Sequence, residues 1–197
     1  MIANDVLRRL RYIFDLSDSK MITLSSSGKH KVTRTEISDW LKKDDHEDYK
    51  VCDDTQMAIF LNNFITEKRG KRDGPQAEPE KRLSNNMIFM KLKIALNLKA
   101  EDVLEILETA DFKLGKHELS AFFRKPGHKH FRECKDQVLR NFLQGLAIKH
   151  RKITNENKEG KTAPKQVKKV KQEPEQAEKT TVEAPTNSFY KKILDPK

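Results

Sequence analysis

The chain has 197 residues, 36% of them apolar and 36% charged, with a net charge of +10; that is enough apolar content for one compact domain or two small ones, and the charge favours polyanionic partners without choosing among them. Only two cysteines occur, Cys52 and Cys134, and the first 25 residues hold no apolar run followed by a small-residue cleavage site, so the expected setting is a reduced cytoplasm. No apolar stretch approaches the roughly 20 residues that span a bilayer, since Arg8, Arg9 and Arg11 interrupt the first one, and no membrane association is expected.

The first element is a helix over about residues 4–15, with Leu7, Leu10 and Phe14 at helical spacing. A weaker helix follows over residues 18–27; Leu24-Ser25-Ser26-Ser27-Gly28 predicts that it frays early, because serine and glycine are poor helix-interior residues. The third opens on Thr33-Arg34-Thr35-Glu36, a capping-box pattern, and is expected to bury Ile37, Trp40 and Leu41. The fourth and longest spans about residues 53–68, with Met57, Phe60, Leu61 and Phe64 on one face.

The same four elements then recur. Sliding the sequence on itself lays residues 4–69 over 86–151 at a constant offset of 82, without a gap. Leu10 meets Leu92, Leu16 meets Leu98, Glu36 meets Glu118, Ser38 meets Ser120, His46 meets His128, Cys52 meets Cys134, Asp54 meets Asp136, and Phe60-Leu61 meets Phe142-Leu143. Val6/Ile88, Trp40/Phe122, Lys42/Arg124 and Tyr49/Phe131 are like-for-like pairs. The second set of helices is expected at about 86–97, 100–110, a third with Gly115 at its cap and Leu119, Phe122 and Phe123 buried, and 135–150.

Between the copies, residues 70–79 are polar and rich in breakers, which reads as a linker. After about residue 152 the chain is Lys, Glu, Gln, Thr and Pro with few apolar residues, a composition that cannot offset its ordering entropy by burial. From residue 151 on, 12 basic side chains face 7 acidic ones. Phe189, Tyr190, Ile193 and Leu194 interrupt that composition near the end, as a solvated terminus or a short docking motif. The expected fold is therefore all-α: a tandem duplication of a four-helix unit, eight helices in total, with repeats at 1–70 and 85–151, a linker at 71–84 and a disordered basic tail at 152–197.

Asn4-Asp5-Val6-Leu7-Arg8, Trp40-Leu41-Lys42-Lys43-Asp44, Glu67-Lys68-Arg69-Gly70 and His128-Lys129-His130-Phe131-Arg132-Glu133-Cys134 with Asp136-Gln137 resemble the YehS-like family of small bacterial proteins, over about residues 1–151. The resemblance implies a domain of unknown function carrying its unit twice, in a bacterial cytoplasm, and it brings no activity. Asn62-Asn63-Phe64 stands where the family leads one to expect Asn-Gly-Leu, which touches the local packing of the fourth helix.

No catalytic signature, cofactor motif or metal site is expected. His128, His130, Cys134 and Asp136 could supply four metal ligands, but the first copy keeps only His46 and Cys52 of the His/Cys set, and a small buried cysteine is the better reading. A Cys-His nucleophile lacks a visible third group. Asp44, Asp45, Glu47 and Asp48 lack the alternation and glycine of a calcium loop. Asp54 and Asp136 at the start of the long helix, and Arg69 and Arg151 at its end, suit the helix dipole.

The second and third helices of each copy, with their connecting turn, resemble a helix-turn-helix, although the turn is longer than usual. Arg34, Ser38 and Lys42 are spaced i, i+4, i+8, and the second copy repeats the chemistry as Lys116, Ser120 and Arg124, a set suited to phosphate and base edges or simply to a solvated face. A second cationic group, Arg124, Lys125, His128, Lys129, His130, Arg132 and Lys135, answers Lys42-Lys43-Asp44-Asp45-His46-Glu47-Asp48 of the first copy, which is acidic. The favoured reading is a non-enzymatic nucleic-acid-binding or regulatory protein, acting on RNA or DNA through Arg34, Ser38, Lys42, Lys116, Ser120, Arg124, Lys125, His128, Lys129 and Arg132. The alternative is a protein-interaction adaptor that uses the groove between the copies.

Overall fold

Four of the eight helices start where the sequence supplies a side-chain acceptor for a free amide of the first turn. Ser17, Thr33, Asp53 and Ser84 accept from the amides of Lys20, Glu36, Gln56 and Met87, and the Thr33/Glu36 capping box is present in full. The resulting elements in a computed structural model of the chain are α1 (Ala3–Phe14), α2 (Asp18–Ser25), α3 (Arg34–Leu41), α4 (Asp54–Arg69), α5 (Asn85–Ala95), α6 (Ala100–Glu108), α7 (Lys116–Phe122) and α8 (Asp136–Glu159). The structure describes residues 1–71, 73–74 and 77–159, with side chains through Arg151. Among the described residues there are eight helices and no strand, and no helix is long and apolar enough to cross a membrane.

The expected tail beyond residue 159, including Phe189, Tyr190, Ile193 and Leu194, lies outside the described residues. Residues 152–159 continue the backbone of α8. Arg151-Lys152-Ile153-Thr154-Asn155-Glu156-Asn157-Lys158-Glu159 contains neither proline nor glycine, so nothing in the sequence ends the helix at the family boundary.

The buried residues occupy equivalent places in the two copies: Leu10 and Leu92, Met21 and Val103, Leu24 and Ile106, Ile37 and Leu119, Met57 and Leu139, Phe60 and Phe142. They form one continuous core, in which Phe89 packs 4.4 Å from Phe142 and Phe14 packs 5.1 Å from Phe64 between ring centroids. Leu41 and Phe123, expected inside, are only half-buried because α3 and α7 end at or before them.

Packing between copies is reciprocal. The first helix of each copy lies on the long helix of the other, α1 on α8 and α5 on α4, the arrangement of a two-fold dimer folded into one chain. Asp54 and Asp136 reinforce it: Asp54 accepts from the backbone N–H of Leu83 at 3.0 Å, and Asp136 from the amino group of Met1. Leu83 and Met1 are themselves equivalent positions, so these recurring carboxylates tie one copy to the other in addition to sitting at a helix start. Arg151, expected at a helix terminus, lies inside α8 instead, with its guanidinium 3.4 Å from the centre of the Tyr12 ring.

One residue pair holds each copy together. Asn4 and Asn86 are buried, 0% and 7% exposed, near the start of α1 and α5. The Asn4 amide donates to the carbonyls of Trp40 (2.9 Å) and Lys50 (2.8 Å), and its oxygen accepts from Cys52 N–H (3.0 Å). Asn86 does the same with Phe122 (2.8 Å), Arg132 (2.8 Å) and Cys134 (2.9 Å). One side chain thus satisfies three backbone groups of the segment that joins the third and fourth helices.

The Asn63/Gly145 exchange has a local cause. A Cβ on Gly145 would stand 1.9 Å from the carbonyl oxygen of Ile106, so α6 and α8 approach too closely there for any side chain. In the first copy Asn63 fills the gap and donates to the carbonyls of Leu24 and Ser26, both at 2.8 Å, satisfying acceptors that α2 leaves free by stopping at Ser25.

Replacing Asn4 or Asn86 by Ala strands two carbonyls and an amide, and is expected to destabilise the fold by about 3 kcal/mol or more, read as a shift of the urea midpoint. Gly145→Ala is expected to cost about 2 kcal/mol or more by overpacking. A wild-type midpoint for either asparagine variant would show that water satisfies the stranded groups.

Candidate nucleic-acid interface

The segments 42–53 and 124–135 share one backbone plan. At the base, Lys50 N–H donates to the Asp39 carbonyl and Arg132 N–H to that of Ala121, both at 3.2 Å. Within the loop, His46 N–H donates to Lys43 and Tyr49 N–H to His46; His128 and Phe131 repeat those bonds with Lys125 and His128. The ring Nδ1 of His46 accepts from Asp48 N–H at 3.2 Å, and that of His128 from His130 N–H at 3.1 Å. The recurring histidine is therefore a loop brace in both copies.

On this common frame the charges differ. Residues 42–53 hold three cations and five carboxylates, whereas residues 124–135 hold five cations and one. In the first copy two of the three cations are neutralised. Lys42 pairs with Asp39 (3.1 Å) and Asp48 (2.8 Å), and Lys50 with Asp39 (2.9 Å). The hydrogen bonds from Lys50 and Lys42 hold the Asp39 carboxyl below its ordinary value, Lys42 does the same to Asp48, and both lysines are raised in turn.

The second copy has lost both anions of that cluster. Ala121 stands at the place of Asp39 and His130 at the place of Asp48, while Arg124 and Arg132 keep the cations of Lys42 and Lys50. Among the described residues Arg124, Lys125, Lys129, Arg132 and Lys135 are exposed and in no ion pair; Arg124 Nη1 lies 3.3 Å from His128 Nε2. The two copies thus present the same loop once with Lys42 and Lys50 paired and once with the equivalent Arg124 and Arg132 open to a partner.

The helix-face set is placed differently from expectation. α3 stops at Leu41 and α7 at Phe122, so Lys42 and Arg124 lie outside the helices, and a register of i, i+4, i+8 does not exist. Ser38 and Ser120 are exposed, and Ser120 donates to the His117 carbonyl at 2.8 Å. Arg34 is paired with Asp18 at 3.2 Å and Lys116 with Glu101 at 3.3 Å. The connections 26–33 and 109–115 exceed the turn of about 3–4 residues in a helix-turn-helix. Of the cations expected at the site, the unpaired ones are Arg124, Lys125, Lys129 and Arg132 of the 124–135 loop, which His128 shares.

Reading the two copies for their differences shows a change of loop sign but not the Asp39/Ala121 and Asp48/His130 exchanges that cause it. Asp39 lies in α3 and Asp48 inside the loop, and the fold brings both to Lys42. Sequence reasoning also passed over Met87, Met90 and Ile94, which lie where Asp5, Arg8 and Tyr12 stand in the first copy and line a groove beside Arg124.

Among the described residues no three His, Cys, Asp or Glu side chains converge on a metal position. Cys52 and Cys134 are buried, 3% and 0% exposed, and burial first, then the neighbouring Asp53 and Asp136 respectively, pushes both thiols up to about 12. At pH 8 only about one thiol in ten thousand is then thiolate. A disulfide reagent is expected to label neither cysteine of the folded protein within minutes and both in denaturant; prompt labelling of native protein would show that the loop stems open.

The family model described as a protein of unknown function, DUF1456, matches residues 3–70 and again residues 85–152. The chain is similar to the uncharacterized protein YehS of Escherichia coli strain K12, with 43% identity over 150 residues, which covers 76% of this chain and 96% of that protein. No solved structure matches it. Two matches in tandem, falling on the two helical copies, show that the chain belongs to the DUF1456 family.

Proposed function

We propose that this chain is a non-enzymatic nucleic-acid-binding protein of the reduced cytoplasm that holds the phosphate backbone of RNA or DNA with the 124–135 loop of its second copy. The observation that supports this is the unpaired state of Arg124, Lys125, Lys129, Arg132 and Lys135 on a frame whose first-copy version pairs Lys42 and Lys50 internally. Cations without protein partners keep counterions that a polyanion releases, and the free energy of that release grows with each phosphate contact. The loop is staked at its base by Asn86, so the cations start from an ordered stem and lose less freedom on binding.

The contact set is phosphate-directed. Arginine and lysine on a loop position a backbone, and sequence readout needs base-edge contacts in a groove, which α7 is too short and too internally paired to supply. Binding with weak sequence preference and steep salt dependence follows.

The test is a fluorescence titration of the whole chain with labelled RNA and DNA across salt. A slope of log K against log salt of about −3 to −4 is expected, from four or five phosphate contacts. The double variant Ala121→Asp/His130→Asp restores the first copy's anions without removing a cation. It is expected to shrink that slope by about two and to lower affinity at least about tenfold, because Arg124 and Arg132 become paired. No binding at low salt, or a double variant that binds as wild type, would overturn the reading.

A further inference from the structure

Between α4 and α5 lies a groove of about 900 Å3 with Ile65, Met87, Met90, Ile94 and Phe131 among its walls. The equivalent position between α1 and α8 holds a recess of about 460 Å3 lined by Asp5, Arg8, Arg9 and Tyr12. The comparison is residue for residue, since Met87, Met90 and Ile94 replace Asp5, Arg8 and Tyr12 at the offset of the duplication. In the first copy Arg8 bonds to Asp5 and to the Lys42 carbonyl, and Arg151 covers Tyr12. Those contacts fill part of the site, where Tyr12 itself is 55% exposed. Methionine and isoleucine offer no such bonds, and Ile94 remains 46% exposed.

The fold does not require apolar side chains there, because it builds the same helix pair with polar ones. An outward apolar stripe at i, i+3 and i+7 on α5, opposite its core face of Ile88, Phe89 and Leu92, is therefore surplus to folding. Flexible thioethers in such a stripe suit a partner's side chains. The lining from Ser84 to Ile94 runs about 15 Å along α5, or roughly three helical turns counting the flanks.

The rim supplies a sign. Arg69, Lys71 and Arg124 line the groove and are in no ion pair among the described residues. Lys91 is committed to Glu80 at 2.8 Å, which leaves Asp73 as the one uncommitted carboxylate of the lining. Phe123 and Phe131 lie at the loop end of the groove, whereas the α5 wall of Met87, Met90 and Ile94 presents no π face on which bases could stack. No strand occurs among the described residues to accept an added one.

We propose that this groove docks an acidic amphipathic helix of a partner protein. Its apolar side chains, spaced i, i+3 or i+4, and i+7, enter between α4 and α5, and its flanking carboxylates meet Arg69, Lys71 and Arg124. The site stands on the groove alone and does not depend on nucleic-acid binding.

The probe is a labelled synthetic peptide of about four turns with a leucine stripe at that spacing and glutamate on both flanks; the control carries lysine for every glutamate. The variant Met87→Asp/Met90→Arg/Ile94→Tyr installs the first copy's residues with no change in net charge. The full chain is expected to bind the acidic peptide with a Kd of order 10 µM and the basic one at least about tenfold more weakly. The triple variant is expected to lose at least about tenfold in affinity for the acidic peptide while binding nucleic acid as wild type does. The single variant Ile94→Asp, at a half-exposed position, should show the same direction of loss if the triple variant is unstable. The proposal is overturned if the acidic peptide does not bind at about 1 mM, if both peptides bind alike, or if the groove variants bind as wild type. It is equally overturned if wild type self-associates and the triple variant does not, which makes a second copy the occupant, or if the triple variant loses nucleic-acid binding, which makes nucleic acid the occupant.

Discussion

A buried asparagine, used twice, is the constraint on which the rest depends. A polar side chain enclosed by apolar helices is tolerated only when its hydrogen bonds are made, and Asn4 and Asn86 each make three to the backbone of a loop that would otherwise need its own secondary structure. The bonds fix where the third helix ends, where the long helix begins, and how the chain crosses between them. Because donors and acceptors are all main-chain groups, the clamp sets no condition on the loop's side chains. A stem held this way lets the tip change freely, and the tip is where the copies differ.

The divergence has a consistent form. In the first copy, potential binding groups are turned inward: Lys42 and Lys50 onto Asp39 and Asp48, Arg8 onto Asp5 and the Lys42 carbonyl, Arg151 onto Tyr12. In the second, Ala121, His130, Met87, Met90 and Ile94 remove one member of each arrangement and leave the other, or an apolar surface, open. Duplication permits this division, since the reciprocal packing of α1 on α8 and α5 on α4 needs both copies for the core but only one surface for a partner.

Most of the fold was legible in the sequence, because apolar spacing and an ungapped offset repeat over 66 aligned positions encode burial directly. The early end of α2 and the Thr33 capping box were equally plain, being local chemistry. What escaped was long-range. Asn4 and Asn86 were visible only as an identity, since their partners lie 36 to 48 residues away. The three-residue helix face failed because α3 and α7 stop one residue short of Lys42 and two short of Arg124, where the backbone turns to meet the asparagine clamp. The loop of the second copy was legible as cationic, but the reason its cations stand open required knowing that Asp39 and Asp48 reach one ammonium group.

Reciprocal packing also bears on how the chain is made. Of these eight helices α1 is made before the others, and its covering helix is α8, with Asp136 meeting Met1 across 135 positions of sequence. During synthesis α1 can pack on α3 and α4 of its own copy, but its face toward α8 and the α4 face that receives α5 stay uncovered until the second copy emerges. Closure of so long a loop late in translation makes the nascent first half a client for whatever shields apolar helices, and makes the order of the two copies, not only their sequences, a property on which selection can act.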